Sequence, residues 1–260
     1  MAQDTLSLEG KVAIVTGSGR ETGIGAGIAL SLARNGARVT INHVSDASAH
    51  RAANVAKMIQ ARGAEATVVQ ADISTQDGAK KLVHDTLTSF GVDHIDILVN
   101  NAAAGSPKGA LQSDRQSLDA IFESIVYGPV FMIQAALPYM PRGGRIVNIG
   151  SIASKLGMTP SAVYGAAKAA QDALTYSMAM ELGRGHGVTI NTVAPGPVDT
   201  DALPKEVAEK IHGALIPMTR VEERVGTQDD IADAVLLLAS EKSRWITGQI
   251  ISVSGGITGG

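Results

Sequence analysis

The stretch KVAIVTGSGRETGIG, Lys11 to Gly25, decides how the chain folds. Its first six residues form a short, β-branched apolar run, the pattern of a buried strand. Glycines at 17, 19, 23 and 25 follow, and Ala26 to Asn35 then repeats at helical period. A strand, a Gly-rich turn and a helix make the first half of a βαβ unit. Such a turn lets the backbone approach a pyrophosphate and leaves the helix N-terminus free to face it. It also serves as a tight strand-to-helix turn with no ligand.

Working outward, the same alternation recurs along the chain. Further strands are predicted at Arg38 to Asn42, Ala66 to Ala71, Ile95 to Val99, Arg145 to Ile149, Val188 to Val193 and Gln249 to Val253. Helices are predicted at Ala47 to Ala61, Thr75 to Phe90, Leu111 to Met140 with a bend near Gly128-Pro129, Ser161 to Leu182, and Thr227 to Ser240. The last begins with Thr227 and has Asp230 three residues on, a capping box. Residues 198–226 carry no strand signal. Strands that are apolar throughout imply a sheet buried on both faces. The expected fold is therefore α/β, a Rossmann-like doubly wound parallel sheet of seven strands. It is expected as a single domain over residues 1–260, with no linker and no repeat.

Composition narrows the function. The chain is 45% hydrophobic and 18% charged with a net charge of -3, so a basic nucleic-acid-binding stripe is not expected. No stretch reads as long and apolar enough to span a bilayer, and Met1 to Gly10 lacks the apolar core of a secretory signal. There are no cysteines, which excludes thiolate chemistry and fits a reducing, cytoplasmic setting. Six histidines are scattered without ligand spacing, so no metal site is expected.

In sheets of this kind ligands bind beyond the carboxyl ends of the strands. The chemistry-bearing residues fall there: the glycines after strand one, Asp72 after strand three, Asn101 after four, Ser151 after five, and Pro195-Gly196 after six. Asp72 with Ile73 suits adenine, by carboxylate and backbone hydrogen bonds; Asp72 equally suits a turn or cap. Strand two ends in Asn42-His43 rather than in an acid that would hold a ribose 2'-hydroxyl and repel a 2'-phosphate. Arg20 stands in the Gly-rich turn and can pair with a phosphate. These residues favour NADP over NAD; a solvated Arg20 and an Asn42 that merely caps a turn would leave NAD open. Ser151 offers a hydroxyl to a carbonyl oxygen whose charge grows during reduction, though serine after a strand is also an everyday turn residue.

Tyr164 and Lys168 lie one helical turn apart, so phenol and ammonium emerge on one face. A unit charge ~5 Å away at an effective dielectric of ~20 favours the phenolate by roughly 3 kcal/mol, or about 2 pKa units. Tyr164 is thus expected to shift towards the working pH as a proton donor.

Taken together, Thr16-Gly17 with Gly23-Ile24-Gly25, Asn100-Asn101-Ala102, Ser151, Tyr164 with Lys168, and Pro195-Gly196 resemble the short-chain dehydrogenase/reductase family over about Leu8 to Gly256. Within it the chain looks most like NADPH-dependent ketoreductases of the 3-oxoacyl-carrier-protein and polyhydroxynaphthalene type. The resemblance implies strand order 3-2-1-4-5-6-7 and a homotetramer, or a homodimer. It implies Tyr164 as proton donor, Lys168 lowering its pKa and bonding the nicotinamide ribose, and Ser151 polarising a small-molecule carbonyl substrate. It also implies that Asn101 meets the cofactor ribose region, Val198 the carboxamide and Thr200 the phosphates, with a mobile lid at about 199–218. The lid's Ala202, Leu203, Val207, Ile211, Leu215, Ile216 and Met218 suit either an apolar substrate or packing onto the core. Acid/base use of Tyr164 on the same fold, as an NADP-bound isomerase, cyclase or dehydratase, is the competing expectation.

Three departures from the family pattern stand out. Gly17 and Gly23 are six positions apart where the family has four. Ile125 occupies the position of an Asn that usually holds a water on the lysine's route to solvent, and an isoleucine cannot do this; either Ser124 or a backbone carbonyl holds the water, or the proton relay is impaired. Ala103 replaces a glycine after strand four, where its methyl could crowd the nicotinamide.

Overall fold

The computed structural model describes residues 6–105, 109–157 and 161–259. Seven strands form one parallel sheet in the order β3-β2-β1-β4-β5-β6-β7. They are β1 (Val12–Val15), β2 (Arg38–His43), β3 (Ala66–Gln70), β4 (Ile97–Asn100), β5 (Arg145–Ile149), β6 (Thr189–Pro195) and β7 (Ile250–Val253). The order reverses between β1 and β4, and that switch opens the crevice in which a dinucleotide fits.

Side chains alternate across the sheet, and both faces are apolar because both are covered. Ala13 and Val15 of β1 and Ile97 and Val99 of β4 face one layer. That layer is built by α1 (Ile24–Arg34), α2 (Asp46–Gln60) and α9 (Gln228–Ala239). Ile14, Leu98 and Ile146 face the other, built by α3 (Gln76–Phe90), α5 (Gly128–Ala136) and α7 (Ala162–His186). The capping box of α9 forms: Asp230 N donates to Thr227 Oγ1 at 3.2 Å, and Thr227 N donates to Asp230 Oδ2 at 2.7 Å.

Four local departures from expectation have physical causes. The helix expected to bend at Gly128-Pro129 instead runs on from α4 (Arg115–Phe122) into α5 through a π-helical turn, Glu123–Tyr127. Pro129 has no N–H to donate four residues back, and the wider turn absorbs the missing bond. That run, Arg115–Tyr139, is long and apolar enough to cross a membrane, contrary to the reading by composition; here it packs along the sheet with Met132, Ile133 and Ala136 in the core. Next, α7 outlasts its predicted end by four residues and stops at Gly187, whose φ of +69° is left-handed. Finally, residues 198–226 contain α8 (Lys205–Leu215), and a single parallel bridge between Val198 and Gly226 closes the base of this excursion. A short helix, α6 (Ala153–Leu156), follows β5.

Candidate active site

The Gly-rich turn is held by the protein itself. Gly17, with φ +62°, donates its N–H to Asn42 Oδ1 at 3.0 Å, and a Cβ there would meet Ala102 Cα at 2.8 Å. Ser18 is fully buried; its N donates to Asn42 O, and its Oγ donates to Val15 O at 2.7 Å. The two extra residues therefore bulge outward at Arg20 to Thr22, and Gly23 N closes the bulge on Arg20 O at 2.8 Å. Glu21 anchors the bulge to α2, taking hydrogen bonds from Arg51 Nε at 2.5 Å and Asn54 Nδ2 at 3.0 Å. Those bonds hold the Glu21 carboxyl down at about 2. Asp201 joins the cluster, accepting from Arg51 at 2.6 Å with Arg20 3.8 Å away. Burial pushes Asp201 up, but Thr22, Arg51 and Arg20 outweigh it and the net shift is downward.

This placement corrects one expectation and adds a neighbour to another. Asn42 is buried, and its amide is fully engaged: Oδ1 holds Gly17, and Nδ2 donates to Ala71 O at 3.0 Å. It shapes the turn rather than facing a ligand. Arg20 faces Asp201, an acid far from it in the sequence and not expected as its partner.

A dinucleotide fits the remaining features. Gly23 caps α1 without a side-chain hydrogen bond and the first turn has no acid, so the positive end of the helix is left for an anion. Beyond β2 and β3 an open hollow of about 560 Å³ is lined by Val44, Ala71 and Asp72. Asp72 already accepts from Ser74 N and Ser74 Oγ, at 3.0 and 2.7 Å. Ile73 is a core residue, so only its backbone is free to meet a base. Asn101 donates to Thr16 O at 2.9 Å and Gly17 O at 3.2 Å, clamping the β1 turn against β4. On the far side Gly196 N bonds Val253 O and Pro195 O takes Ile152 N. Val198 packs on the core, and Thr200 Oγ1 accepts from Ala202 N at 3.4 Å. Ala103 is exposed.

Ser151, Tyr164 and Lys168 come together beyond β5. Ser151 shares a hydrogen bond with the Tyr164 phenol, and its Oγ also takes Ala153 N at 3.1 Å. Lys168 is 2% exposed; its Nζ lies 5.8 Å from the Tyr164 ring centre. Nζ donates to Ile149 O at 2.5 Å and to Gln171 Oε1 at 3.3 Å. Burial drives the Lys168 ammonium down to about 7, against an upward pull from Asp172. Burial likewise pushes Tyr164 up, partly offset by Ser151.

That reverses the expected direction for Tyr164. The expectation treated the lysine as permanently charged and left out the desolvation of both groups. A lysine that titrates near 7 has lost its proton before a phenol ionises, so it cannot favour the phenolate at high pH.

Around Lys168, Ile125 is wholly buried in the π turn and offers no polar atom. Ser124, the suggested substitute, is engaged: its Oγ accepts from Ala104 N at 2.9 Å and donates to Ile121 O at 3.1 Å. Gln171, Asp172 and the Arg51–Asp201 pair were missed from the sequence. Spacings of three and four from Lys168 on one helix were the available signal for the first two; nothing local could have joined Arg51 to Asp201. Among the described residues no group of three acids or histidines could hold a metal.

A parallel sheet with a phosphate-ready turn at its switch point, and a serine, a tyrosine and a lysine gathered beside it, defines a dinucleotide-dependent oxidoreductase class. A family profile described as enoyl-(acyl carrier protein) reductase matches residues 17–258. A short-chain dehydrogenase/reductase of a Cladobotryum species, FrzI, is 41% identical over 96% of this chain and 97% of its own length. A probable tetrahydroxynaphthalene reductase of Zymoseptoria tritici is 36% identical, covering 97% and 96%. The solved structure of angucycline C-6 ketoreductase LanV with bound NADP superposes with a TM-score of 0.87 at 33% identity, covering 96% of both chains. The chain belongs to the short-chain dehydrogenase/reductase family.

Proposed function

We propose that the protein reduces a ketone to a secondary alcohol with NADPH. The observation that carries this reading is the Tyr164 phenol, hydrogen-bonded to Ser151 and one helical turn from a buried lysine, beyond the carboxyl ends of the strands. The LanV relative is a ketoreductase with bound NADP. In this reading Gly17, Arg20, Gly23 and Ile24 hold the phosphates at the start of α1. Asp72 and Ile73 flank the adenine, with Asn101, Pro195, Gly196, Val198 and Thr200 along the nicotinamide half, and Asn42 acts indirectly by shaping the Gly17 turn. NADPH, when bound, supplies the hydride. Ser151 orients the substrate carbonyl, and Tyr164 donates its proton to the carbonyl oxygen as negative charge develops there. Lys168, whose ammonium titrates at about 7, supplies positive charge beside the phenol at and below neutral pH and bonds the nicotinamide ribose.

Residues 199–218 act as a lid over an apolar substrate. Leu215 and Ile211 pack against Ile152 and Ile257, whereas Leu203, Val207 and Met218 are exposed and free to meet a ligand. The chain is one domain and works as a homotetramer in the cytoplasm. Exposed Tyr127, Tyr176 and Met180 on the π turn and α7 supply apolar surface for a second copy; sedimentation of the purified protein reads the assembly directly.

Mixing protein, NADPH and a panel of ketones while following absorbance of the reduced nicotinamide tests the chemistry. Substrate-dependent oxidation is expected. Product formed without NADPH consumption would replace the reductase reading by an isomerase, cyclase or dehydratase, which the apolar Ile125 favours.

A further inference from the structure

Asp172 follows Lys168 by four residues on α7, so the two side chains leave one face of the helix. They also converge on one point of the sheet. Lys168 Nζ bonds Ile149 O, and Asp172 Oδ1 lies 3.3 Å from where a Cβ on the next residue, Gly150, would stand. That Oδ1 is buried and has no hydrogen-bond partner among the described residues. A buried, unpartnered carboxylate oxygen is costly unless something else about the site requires it. Gly150 meanwhile has no room for a side chain, because its Cβ would meet Thr192 Cγ2 at 2.5 Å. The carboxylate is thus confined against the same end of β5 that Lys168 bonds.

The charged and titratable groups around the pair are few. Tyr164 and Asp172 belong to α7 itself, and Lys155 comes from α6. In the π turn Ile125 is apolar, while Glu123 and Tyr127 point to the exposed surface. The one charge of β5, Arg145, sits at the far end of its strand against Glu241. The Asp172 carboxyl is pushed up by burial and drawn back by Ser154, Lys168 and Lys155. Ser154 stands beside it, and Lys155 is exposed, so this side of the pocket leads to solvent.

We propose that Asp172 is the positioning residue of Lys168: its carboxylate, on the same helix face and at the same strand end, holds the ammonium in its charged state. The inference rests on the reading of Tyr164 and Lys168 as the proton-delivering pair, which it deepens.

The test compares wild type, Asp172→Asn and Asp172→Glu, all checked for folding by circular dichroism; Asp172→Ser takes the place of Asp172→Asn if that variant does not fold. Lysine labelled with ¹³C at Cε, assigned with Lys168→Met, reports the Lys168 midpoint by NMR. Loss of a nearby negative charge lowers that midpoint by ~1 pH unit or more. The alkaline limb of kcat for ketone reduction moves down equally, so the rate above neutrality falls about tenfold for each pH unit the limb moves. Asp172→Glu restores both. A Lys168 midpoint that does not move in folded Asp172→Asn, or a pH profile identical to wild type in an active one, overturns the proposal. The NMR arm reads the coupling whether or not any ketone is reduced. A displaced midpoint in a protein that oxidises no NADPH would therefore support the Asp172 coupling while overturning the reductase reading.

Discussion

The Gly-rich turn and the Lys168 pocket treat charge in opposite ways. At the turn Arg51, Glu21 and Asp201 sit partly in water, each with a partner of opposite sign, and hydrogen bonds dominate the lowering of the Glu21 pKa. In the pocket Lys168 is 2% exposed, has two uncharged carbonyl partners, and is governed by desolvation. Pairing at the surface makes a charge cheap and its contribution small. Burial makes a charge expensive and its proton labile, which suits a group that must exchange protons near neutral pH.

The largest break of this comparison is Tyr164→Phe. It should lower turnover by ~10²–10⁴-fold, the range of general acid catalysis, while leaving NADPH affinity nearly intact in a fluorescence titration. A variant that keeps much of its rate removes the phenol from the chemistry.

Lys168→Met comes next and sharpens the contrast. The Lys168 pKa is lowered from 10.5 to about 7 in the fold, so between those values the unfolded chain holds a proton that the folded one lacks. Stability should therefore rise with pH through this window, by up to roughly 1.4 kcal/mol per pH unit from this group. Above pH ~10 the raised Tyr164 acts with the opposite sign, so the useful range ends before that. Urea midpoints from neutral pH to about 9.5 should climb in wild type and flatten in Lys168→Met; a slope unchanged by the substitution would contradict the buried, labile ammonium.

Much of this contrast could be seen in the sequence, and part could not. The apolar runs at Val12 to Val15 and Ile97 to Val99, each closed by glycine or asparagine, led to the sheet because a strand covered on both faces needs no polar alternation. Gathering Ser151, Tyr164 and Lys168 required only strand ends and a one-turn spacing. The direction in which the Tyr164 pKa moves was not legible, because it depends on how much water the fold removes from two groups at once. The π turn was also hidden: Pro129 announces a disturbed helix, but not whether the chain bends or widens there. Asn42 was read as a ligand because polar residues at strand ends are ambiguous until their hydrogen bonds are seen.

Two smaller effects complete the comparison. Beneath the pocket a polar chain crosses the sheet: Asn100 donates to Asn148 at 2.9 Å, Asn148 donates to Thr175 at 2.8 Å, and Thr175 meets Thr192 at 2.8 Å. Thr175→Val strands two buried partners and should cost about 1–3 kcal/mol in urea unfolding; a neutral result would mean that the chain re-pairs without Thr175. At the turn Glu21→Gln should cost ~1 kcal/mol or less, since the Arg51 guanidinium is more than a third exposed. The folded Glu21 pKa lies below its ordinary 4.5, so its contribution is present above pH 4.5 and fades as pH falls towards 2. High salt should erase most of the difference between wild type and variant; a salt-independent gap of several kcal/mol would place this pair with the buried class instead.

The single wide turn at Glu123–Tyr127 has a consequence for sequence change. An α-helix advances about 100° per residue, and a π turn adds one residue to the winding. Deleting one residue between 123 and 127 would remove the extra winding and keep Ile121 and Met132 on their buried faces, leaving Pro129 to kink an otherwise regular helix. Insertion or loss of a residue in α4 or α5 instead rotates Ile121 or Met132 out of its buried seat. Length variation in this long helix is therefore tolerated at one address and punished at its neighbours.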